Sequence, residues 1–345
     1  MTLYSEIMEQ PDRMSALLDS QRSTVDRIAA EIKKRDIRYV FLAARGTSDN
    51  AGRYANYLFS AMNRLPLALA TPSLFTYYKK PPTLANALVI GISQSGQSPD
   101  IVSVLDEGNK QGCLTVAITN EPDSPLANSA SFVVDIQAGS EKAVAATKTY
   151  TAELMAIAML SSAINNDETM WQELTGVAEW ARQALRLDES IAQAAQRYRK
   201  IKHTAVLGRG FNYCTAFEWA LKLKELTYVV AEAYSFADFQ HGPLALVEPG
   251  FPVMVVSPLG AVSAPSLEMI GKLKNSFSAE LVVISNDPSA LELANSPIPI
   301  PADIPEWLSP MISIIPAQLF AYHLTVAKGL NTENPRSIQK VTETD

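Results

Sequence analysis

Cysteine is scarce in this chain, and its scarcity limits the possible structures. The 345 residues include only Cys113 and Cys214, too few for a disulfide framework and without the spacing of a metal site. Such sparse cysteine usage is typical of a reducing compartment. There are also only three histidines. We therefore expect no metal ion and no cofactor.

Basic residues are also fewer than acidic ones, with 29 lysines and arginines against 36 aspartates and glutamates. This balance argues against a nucleic-acid surface, so a bound phosphate would be held by a local site. The N-terminus has no apolar core of the signal-peptide type, and the longest apolar run, Leu154 to Ile164, is too short to span a bilayer. We predict a cytoplasmic protein that binds neither nucleic acid nor a membrane.

A strand, a polar loop and a helix start follow one another between residues 87 and 100. Ala87–Ile92 is typical of a buried parallel strand, Ser98 suits an N-cap and Pro99 suits the first helical position. Such a loop can hold a phosphate through N–H and O–H donors. The side-chain donors would be Ser93, Gln94, Ser95 and Ser98. Taken alone, the stretch also fits an ordinary polar loop.

The sequence repeats itself at a nearly constant distance. The matching segments are Arg45-Gly46 with Arg209-Gly210, Ser93 with Ser257, and Ile118 to Ser124 with Ile284 to Ser289, at offsets of 164, 164 and 166 residues. Such regularity predicts two tandem copies of one unit. Strands and helices alternate in each copy, so we predict an α/β fold in which each copy is a parallel sheet flanked by helices, of the flavodoxin or Rossmann type.

We divide the chain into five parts on this basis. They are an N-terminal helical segment (1–34), a first domain that would bind phosphate (35–165), a helical connector (166–199), a second domain (200–330) and a C-terminal tail (331–345). The second copy's loop, Ser257 to Ser263, has fewer donors than the first, so only the first copy is expected to bind phosphate. Ligands of open α/β sheets bind beyond the carboxyl ends of the strands, where the Thr47 and Ser93 loops emerge.

A predicted helix over residues 215–229 carries three charges on one stripe. Glu218, Lys222 and Glu225 recur at i, i+4 and i+7. The stripe fits a solvated face with an ion pair, and it fits equally a carboxylate in a half-buried cleft that moves protons near neutral pH.

Two further residues are candidates for chemistry. His241 precedes Gly242-Pro243 on a predicted turn and is the histidine best suited to acid–base work, because His323 lies in an apolar helix and His203 precedes a strand. Lys340 lies in a polar tail, where a solvated side chain is the ordinary interpretation.

Several motifs keep a characteristic order along the chain. They are Gly46-Thr47-Ser48, Ser93-Gln94-Ser95-Gly96, Ala146-Thr147-Lys148, Leu207-Gly208-Arg209-Gly210, Ala220 to Glu225, Ala231 to Tyr234, His241 to Leu246 and Asn334-Pro335-Arg336. Together they resemble the isomerase part of glucosamine-6-phosphate synthase, a double sugar-isomerase (SIS) domain, over almost the whole chain.

The resemblance implies a role for each matching residue. Glu225 would move the proton between C1 and C2 of the sugar, His241 would assist ring opening, and Lys340 would meet the open-chain sugar. The substrate-binding residues would be Thr47, Ser48, Ser93, Gln94, Ser95, Ser98 and Lys222. Because the family contributes its histidine across a subunit contact, the resemblance also implies a homodimer.

The chain departs from the synthase pattern in three ways. It begins Met1-Thr2-Leu3 and enters directly on the isomerase part, Arg45 and Asp49 replace the usual neighbours of Gly-Thr-Ser, and Ala146 replaces a serine. Without a glutaminase module, we expect a glucosamine-6-phosphate deaminase/isomerase that yields fructose-6-phosphate and ammonia. The alternatives are a fructosamine-6-phosphate deglycase of the same family and a non-catalytic phosphosugar sensor.

Overall fold

The computed structural model describes residues 2–340, and the chain divides into two compact units. The first-repeat unit comprises Asp12–Glu141, Lys148–Gly176 and Gln339–Asp345, of which residues 341–345 lie outside the described part. The second-repeat unit comprises Met1–Pro11, of which Met1 lies outside the described part, together with Lys142–Thr147 and Val177–Ile338.

The strands and helices alternate along the described chain. The strands are β1 (Tyr39–Ala43), β2 (Leu67–Leu69), β3 (Ala87–Ile92), β4 (Leu114–Thr119), β5 (Phe132–Asp135), β6 (His203–Gly208), β7 (Val230–Ser235), β8 (Pro252–Val256), β9 (Glu280–Ser285) and β10 (Ser296–Pro299). The α-helices are α1 (Leu3–Met8), α2 (Gln10–Lys33), α3 (Gly46–Asn63), α4 (Ser73–Thr76), α5 (Pro99–Lys110), α6 (Pro125–Asn128), α7 (Lys148–Asn165), α8 (Glu168–Thr175), α9 (Val177–Leu185), α10 (Asp188–Arg197), α11 (Tyr213–Lys222), α12 (Phe236–Gln240), α13 (Ser263–Asn275), α14 (Pro288–Glu292) and α15 (Ser309–Ala327).

The first-repeat sheet has the strand order β2-β1-β3-β4-β5, and every neighbouring pair is parallel. All residues of β3 and β4 are buried, which explains why these two strands are continuous and largely apolar rather than alternating. Helix α5 packs closely on β3: a Cβ at Gly108 would lie 3.1 Å from a methyl group of Val89. This contact holds the last turn of α5 against the middle of β3.

The second-repeat sheet has the order β10-β9-β8-β6-β7, again with parallel neighbours throughout. Read from its other edge, it matches the first sheet strand for strand. Both are therefore the 2-1-3-4-5 order of flavodoxin-like sheets. The prediction of two tandem α/β units with parallel sheets is confirmed.

The segment predicted as a helical connector contains three helices, α8, α9 and α10, with breaks near Gly176 and near Leu187. One helical prediction differs from the structure. The predicted helix over residues 215–229 ends as an α-helix at Lys222 and continues as a π-helical turn over Leu223–Thr227, closed by Tyr228 in the left-handed region. The sequence pattern at this site contains no signal for a change of helix type.

One helix in the described part of the chain is long and apolar enough to cross a membrane, Glu306–Ala327, which includes α15. However, 78% of its most apolar window is buried inside the protein. Its side chains belong to the second-repeat core, where Phe320 contacts Trp219 edge to face at 5.7 Å between ring centres. This burial is the behaviour of a core helix, and the cytoplasmic location stays a prediction.

Candidate active site

The loop after β3 is constrained by hydrogen bonds to β4 and to its own Ser93 side chain. The N–H of Ser93 donates to the carbonyl of Ile118, and the N–H of Gly96 donates to Ser93 Oγ at 3.1 Å. Gly96 has φ +62°, and a Cβ there would lie 2.0 Å from Ser124 Oγ, so no other residue fits. These contacts define the path of the loop and explain why glycine occupies position 96.

The polar side chains of this loop remain available to a ligand. Gln94, Ser95 and Ser98 are half-buried, whereas Ser93 is 6% exposed. Ser98 occupies the N-cap position of α5 as predicted, but its side chain makes no capping hydrogen bond. Within residues 2–340 the Ser98 hydroxyl and the Gln94 amide form no hydrogen bond. Their donors are free for another partner.

The loop after β1 contributes the Gly-Thr-Ser motif. Helix α3 begins at Gly46, which has φ +55°, and Thr47 is half-buried in its first turn. Ser48 is buried, and its hydroxyl donates to Glu153 Oε1 at 2.8 Å. The structure thus gives Ser48 a protein partner on α7, while its predicted role toward substrate stays a prediction.

The two loops leave the sheet side by side. Strands β1 and β3 are neighbours in register, with Ala43 opposite Gly91. In a 2-1-3-4-5 sheet this is the point where the connections change face, and ligands bind in the crevice beyond it. The structure therefore brings the Thr47 loop and the Ser93–Ser98 loop together at the carboxyl ends of β1 and β3, where ligands of such sheets bind.

Charged side chains surround the start of α3. Arg45 Nε donates to Asp100 Oδ2 at 2.7 Å, and Arg53 pairs with Asp49 at 3.3 Å. Burial raises the pKa of Asp49, although Arg53 and Arg45 oppose the rise. The Arg45–Asp100 pairing could not be foreseen from the sequence, because it joins residues 55 positions apart, whereas Asp49 and Arg53 lie four residues apart on α3.

In the equivalent loop of the second copy, backbone N–H groups already donate to side chains of the protein. Glu306 Oε2 accepts the N–H of Ala261 at 2.9 Å, and Asn286 Oδ1 accepts the N–H of Leu259 at 2.7 Å. A Cβ at Gly260 would lie 2.1 Å from the carboxyl carbon of Glu306. The chain's own carboxylate thus uses a backbone donor that an anion would need, which supports the prediction that only the first copy binds phosphate.

The three charges of the second copy form a buried triad. Lys222 Nζ lies 3.2 Å from Glu218 Oε1 and 2.6 Å from Glu225 Oε2. The side chains of Glu218 and Lys222 are 0% and 1% exposed, and that of Glu225 is 24% exposed. The alternative of a solvated face is therefore wrong, since only Glu225 meets solvent.

The charge state of the triad follows from this geometry. Burial opposes the positive charge of Lys222, but the two carboxylates outweigh burial and raise the pKa of Lys222. Lys222 is therefore a cation throughout the physiological range. Glu225 lies in the π-helical turn, a feature that often marks functional sites.

His241 lies on the turn that the sequence predicts. It follows α12, is exposed, and precedes Gly242 with φ +135°. Its ring forms no hydrogen bond within residues 2–340. The other two histidines differ: His323 Nε2 lies 2.6 Å from Asp188, whereas His203 is exposed at the start of β6.

Lys340 is not a solvated tail residue. Its ammonium pairs with Glu141 at 2.5 Å, and the Glu141 side chain is completely buried. Glu141 also accepts hydrogen bonds from the N–H and the hydroxyl of Thr149. The interpretation of Lys340 as solvated is wrong, because a buried carboxylate that the sequence does not reveal holds it in the first-repeat unit.

The predicted residues therefore fall into two groups. Thr47, Ser48, the Ser93–Ser98 loop and Lys340 belong to the first-repeat unit, and Lys222, Glu225 and His241 belong to the second-repeat unit. In the second unit, Lys222 and Glu225 are in contact, while His241 has no hydrogen bond to either of them.

Comparison with known proteins shows which family this chain resembles. The SIS domain model matches residues 34–163 and 197–328. Glutamine–fructose-6-phosphate aminotransferase (isomerizing) of Aquifex aeolicus is 33% identical over 98% of this chain and 57% of its own length. This chain spans about half the length of the curated relatives that it matches.

Solved structures agree with this similarity. The C-terminal domain of glucosamine-fructose-6-phosphate aminotransferase from Francisella tularensis superposes with a TM-score of 0.88 at 28% identity, covering 96% of this chain and 98% of that domain. Glucosamine-6-phosphate deaminase of Thermotoga maritima superposes with a TM-score of 0.79 over the whole of both chains, and its 20% identity shows the fold alone. The resemblance stated from the motifs is confirmed, and the chain belongs to the SIS-domain family, with two SIS domains in tandem.

Proposed function

We propose that this protein is a phosphosugar isomerase that deaminates glucosamine-6-phosphate. Glucosamine-6-phosphate and water would give fructose-6-phosphate and ammonia through proton transfer from C2 to C1. The buried Glu218–Lys222–Glu225 triad is the observation that carries the proposal, since it places one partly exposed carboxylate against a fixed cation. The similarity to the isomerase portion of the aminotransferases supports the substrate class.

Phosphate binding is assigned to the first-repeat unit. The polar side chains of Thr47, Gln94, Ser95 and Ser98 lie at the carboxyl ends of β1 and β3 in this unit. Neutral donors at a helix N-terminus suit a phosphate dianion without requiring a basic surface. This matches a chain whose net charge is −7.

Proton transfer is assigned to Glu225. The ion pair with Lys222 uses Oε2, and Oε1 forms no hydrogen bond within residues 2–340, so Oε1 is the atom that would take the C2 proton of the open-chain sugar. The same atom would return the proton to C1, leaving an imine at C2 that water hydrolyses. A positioned base of this kind contributes about 10²- to 10⁴-fold to rate.

His241 and Lys340 complete the proposed chemistry. His241 is exposed on a turn, where an imidazole can exchange a proton with the ring oxygen during ring opening. Lys340 would meet the open-chain sugar. We propose that the protein acts as a homodimer in which His241 serves the site of the other subunit.

The test is ammonia release from glucosamine-6-phosphate by the full chain, measured with a coupled assay. Glu225→Gln should lower the rate about 10²-fold or more, because the amide cannot accept the proton. The control is Glu268→Gln, the same change at an exposed position on α13, which should keep full activity. Equal rates for wild type and Glu225→Gln would refute the role of Glu225.

The same protein separates the remaining alternatives. Release of an amine from a phosphorylated fructosamine, with no ammonia from glucosamine-6-phosphate, would identify a deglycase. Binding of fructose-6-phosphate without solvent proton exchange at C1 or C2 would identify a sensor. In either case the deaminase proposal fails.

A further inference from the structure

The Arg45 guanidinium links the starts of α3 and α5, at the carboxyl ends of the strands of the first-repeat sheet. Arg45 occupies the N-cap position of α3, and its Nε donates to Asp100 in the first turn of α5. The Arg45 side chain is 49% exposed, and that of Asp100 is 2% exposed. The cation thus lies against the start of the helix that follows the Ser93–Ser98 loop.

The Arg45–Asp100 pair determines the charge beside the Ser93–Ser98 loop. Every donor in the Ser93–Ser98 loop is neutral, and Asp100 places a buried negative charge in the first turn of α5. An unpaired carboxylate there would repel a phosphate dianion, whereas Arg45 offsets it. The Arg45 cation therefore favours phosphate binding at this loop.

The geometry leaves most of the guanidinium unused. Asp100 takes only Nε, and within residues 2–340 the two terminal amino groups of Arg45 form no hydrogen bond. A guanidinium offers five donors in a planar fork that matches phosphate oxygens. Fixing Nε on a buried carboxylate orients the fork before a ligand arrives.

We propose that Arg45 is a substrate-binding residue that takes the phosphate of the sugar, and that Asp100 is the positioning residue that orients it. This inference rests on the proposed function only for the placement of the phosphate at the Ser93–Ser98 loop. It adds a charged, bidentate contact to a site otherwise built from neutral donors.

The experiment measures the affinity of the full chain for fructose-6-phosphate and for inorganic phosphate by calorimetry. Arg45→Met should weaken both by about tenfold or more, the loss expected for a charge-assisted pair. Arg45→Lys should give an intermediate affinity, because it keeps the charge and loses the fork. The matched control is Arg38→Met, an exposed arginine that precedes the opposite end of β1, and it should bind as wild type does.

Three further variants distinguish a phosphate-binding role of Arg45 from a role in which Arg45 only neutralises Asp100. Arg45→Met combined with Asp100→Asn should stay weak, since the phosphate contact is missing. Asp100→Ala should weaken binding, and Asp100→Asn should restore it, because the amide oxygen still accepts from Nε.

Three outcomes would overturn the inference. They are wild-type affinity in Arg45→Met, recovered affinity in the double variant, and no binding of either probe to the wild type. Recovery would mean that Arg45 only neutralises Asp100. If the wild type binds phosphate with this dependence on Arg45 but releases no ammonia, the proposed reaction fails and the assignment of Arg45 stands.

Discussion

Lys222 Nζ lies 2.6 Å from Glu225 Oε2, at the point where α11 gives way to a π-helical turn. The lysine is buried and the glutamate is partly exposed. The contact therefore links the core of the second-repeat unit to the carboxylate that we assign to proton transfer. Changes in this pair should affect stability and activity together.

We predict that Lys222→Met destabilises the protein by about 3–5 kcal/mol. The change removes the ammonium that two carboxylates share in a buried setting, and breaking one side of such a pair leaves charge uncompensated. Urea denaturation would measure the loss. Lys224→Met is the control, because Lys224 is exposed two residues away and should cost less than about 0.5 kcal/mol. Similar losses for both variants would contradict a shared buried cation.

Tyr198 should make the protein sensitive to alkali. Burial raises the pKa of Tyr198 to about 12, with Ser296 opposing the rise and Glu280 adding to it. The folded state favours the neutral phenol, so its contribution to stability is present below about pH 10 and is lost as pH rises towards 12. Between pH 9 and pH 11 the free energy of unfolding should fall by about 1 kcal/mol on this account.

The control for this prediction is a second tyrosine. Tyr198→Phe should reduce the alkaline fall in urea unfolding, whereas Tyr77→Phe, at a residue that is 65% exposed, should leave it unchanged. An identical pH profile for wild type and Tyr198→Phe would show that this phenol does not carry the effect.

Ser98→Ala should weaken substrate binding without weakening the fold. Its hydroxyl makes no capping bond, so the usual cost of about 1 kcal/mol for losing an N-cap should not appear. Ser124→Ala is the matched variant, since Ser124 does cap α6 by accepting the N–H of Ala127, and it should lose about 1 kcal/mol. Thermal unfolding and the KM for glucosamine-6-phosphate would separate them. A stability loss in Ser98→Ala equal to that of Ser124→Ala would contradict this assignment.

Mixing two inactive variants should restore activity. If His241 serves the other subunit's site, a dimer of one Glu225→Gln chain and one His241→Gln chain has one intact site. Random reassociation should then recover about a quarter of wild-type ammonia release. Glu225→Gln mixed with Lys222→Met is the control and should recover nothing. No recovery in the first mixture, with mixed dimers present, would exclude a shared site.

Much of the fold followed from local sequence features. Buried parallel strands such as Ala87–Ile92 are nearly continuous apolar runs, and the repeat offset of 164 residues fixed two copies of one topology. Helix start signals placed Ser98 at the N-cap position and Pro99 at the first helical position correctly, although Ser98 makes no capping hydrogen bond. The candidate residues of the phosphate loop were identifiable from the same local features.

The partners of those residues were not identifiable, because they depend on contacts between distant segments. The spacing of Glu218, Lys222 and Glu225 allowed either a solvated or a buried stripe, and only packing placed Lys222 at 1% exposure. The pairing of Lys340 with Glu141, and of Arg45 with Asp100, joins residues 199 and 55 positions apart. The sequence by itself determined which side chains are present and which strand ends carry them, because those are local properties. Only the tertiary structure decided which charges are buried and what faces them, since burial and pairing arise when the sheet and its helices close around a common core.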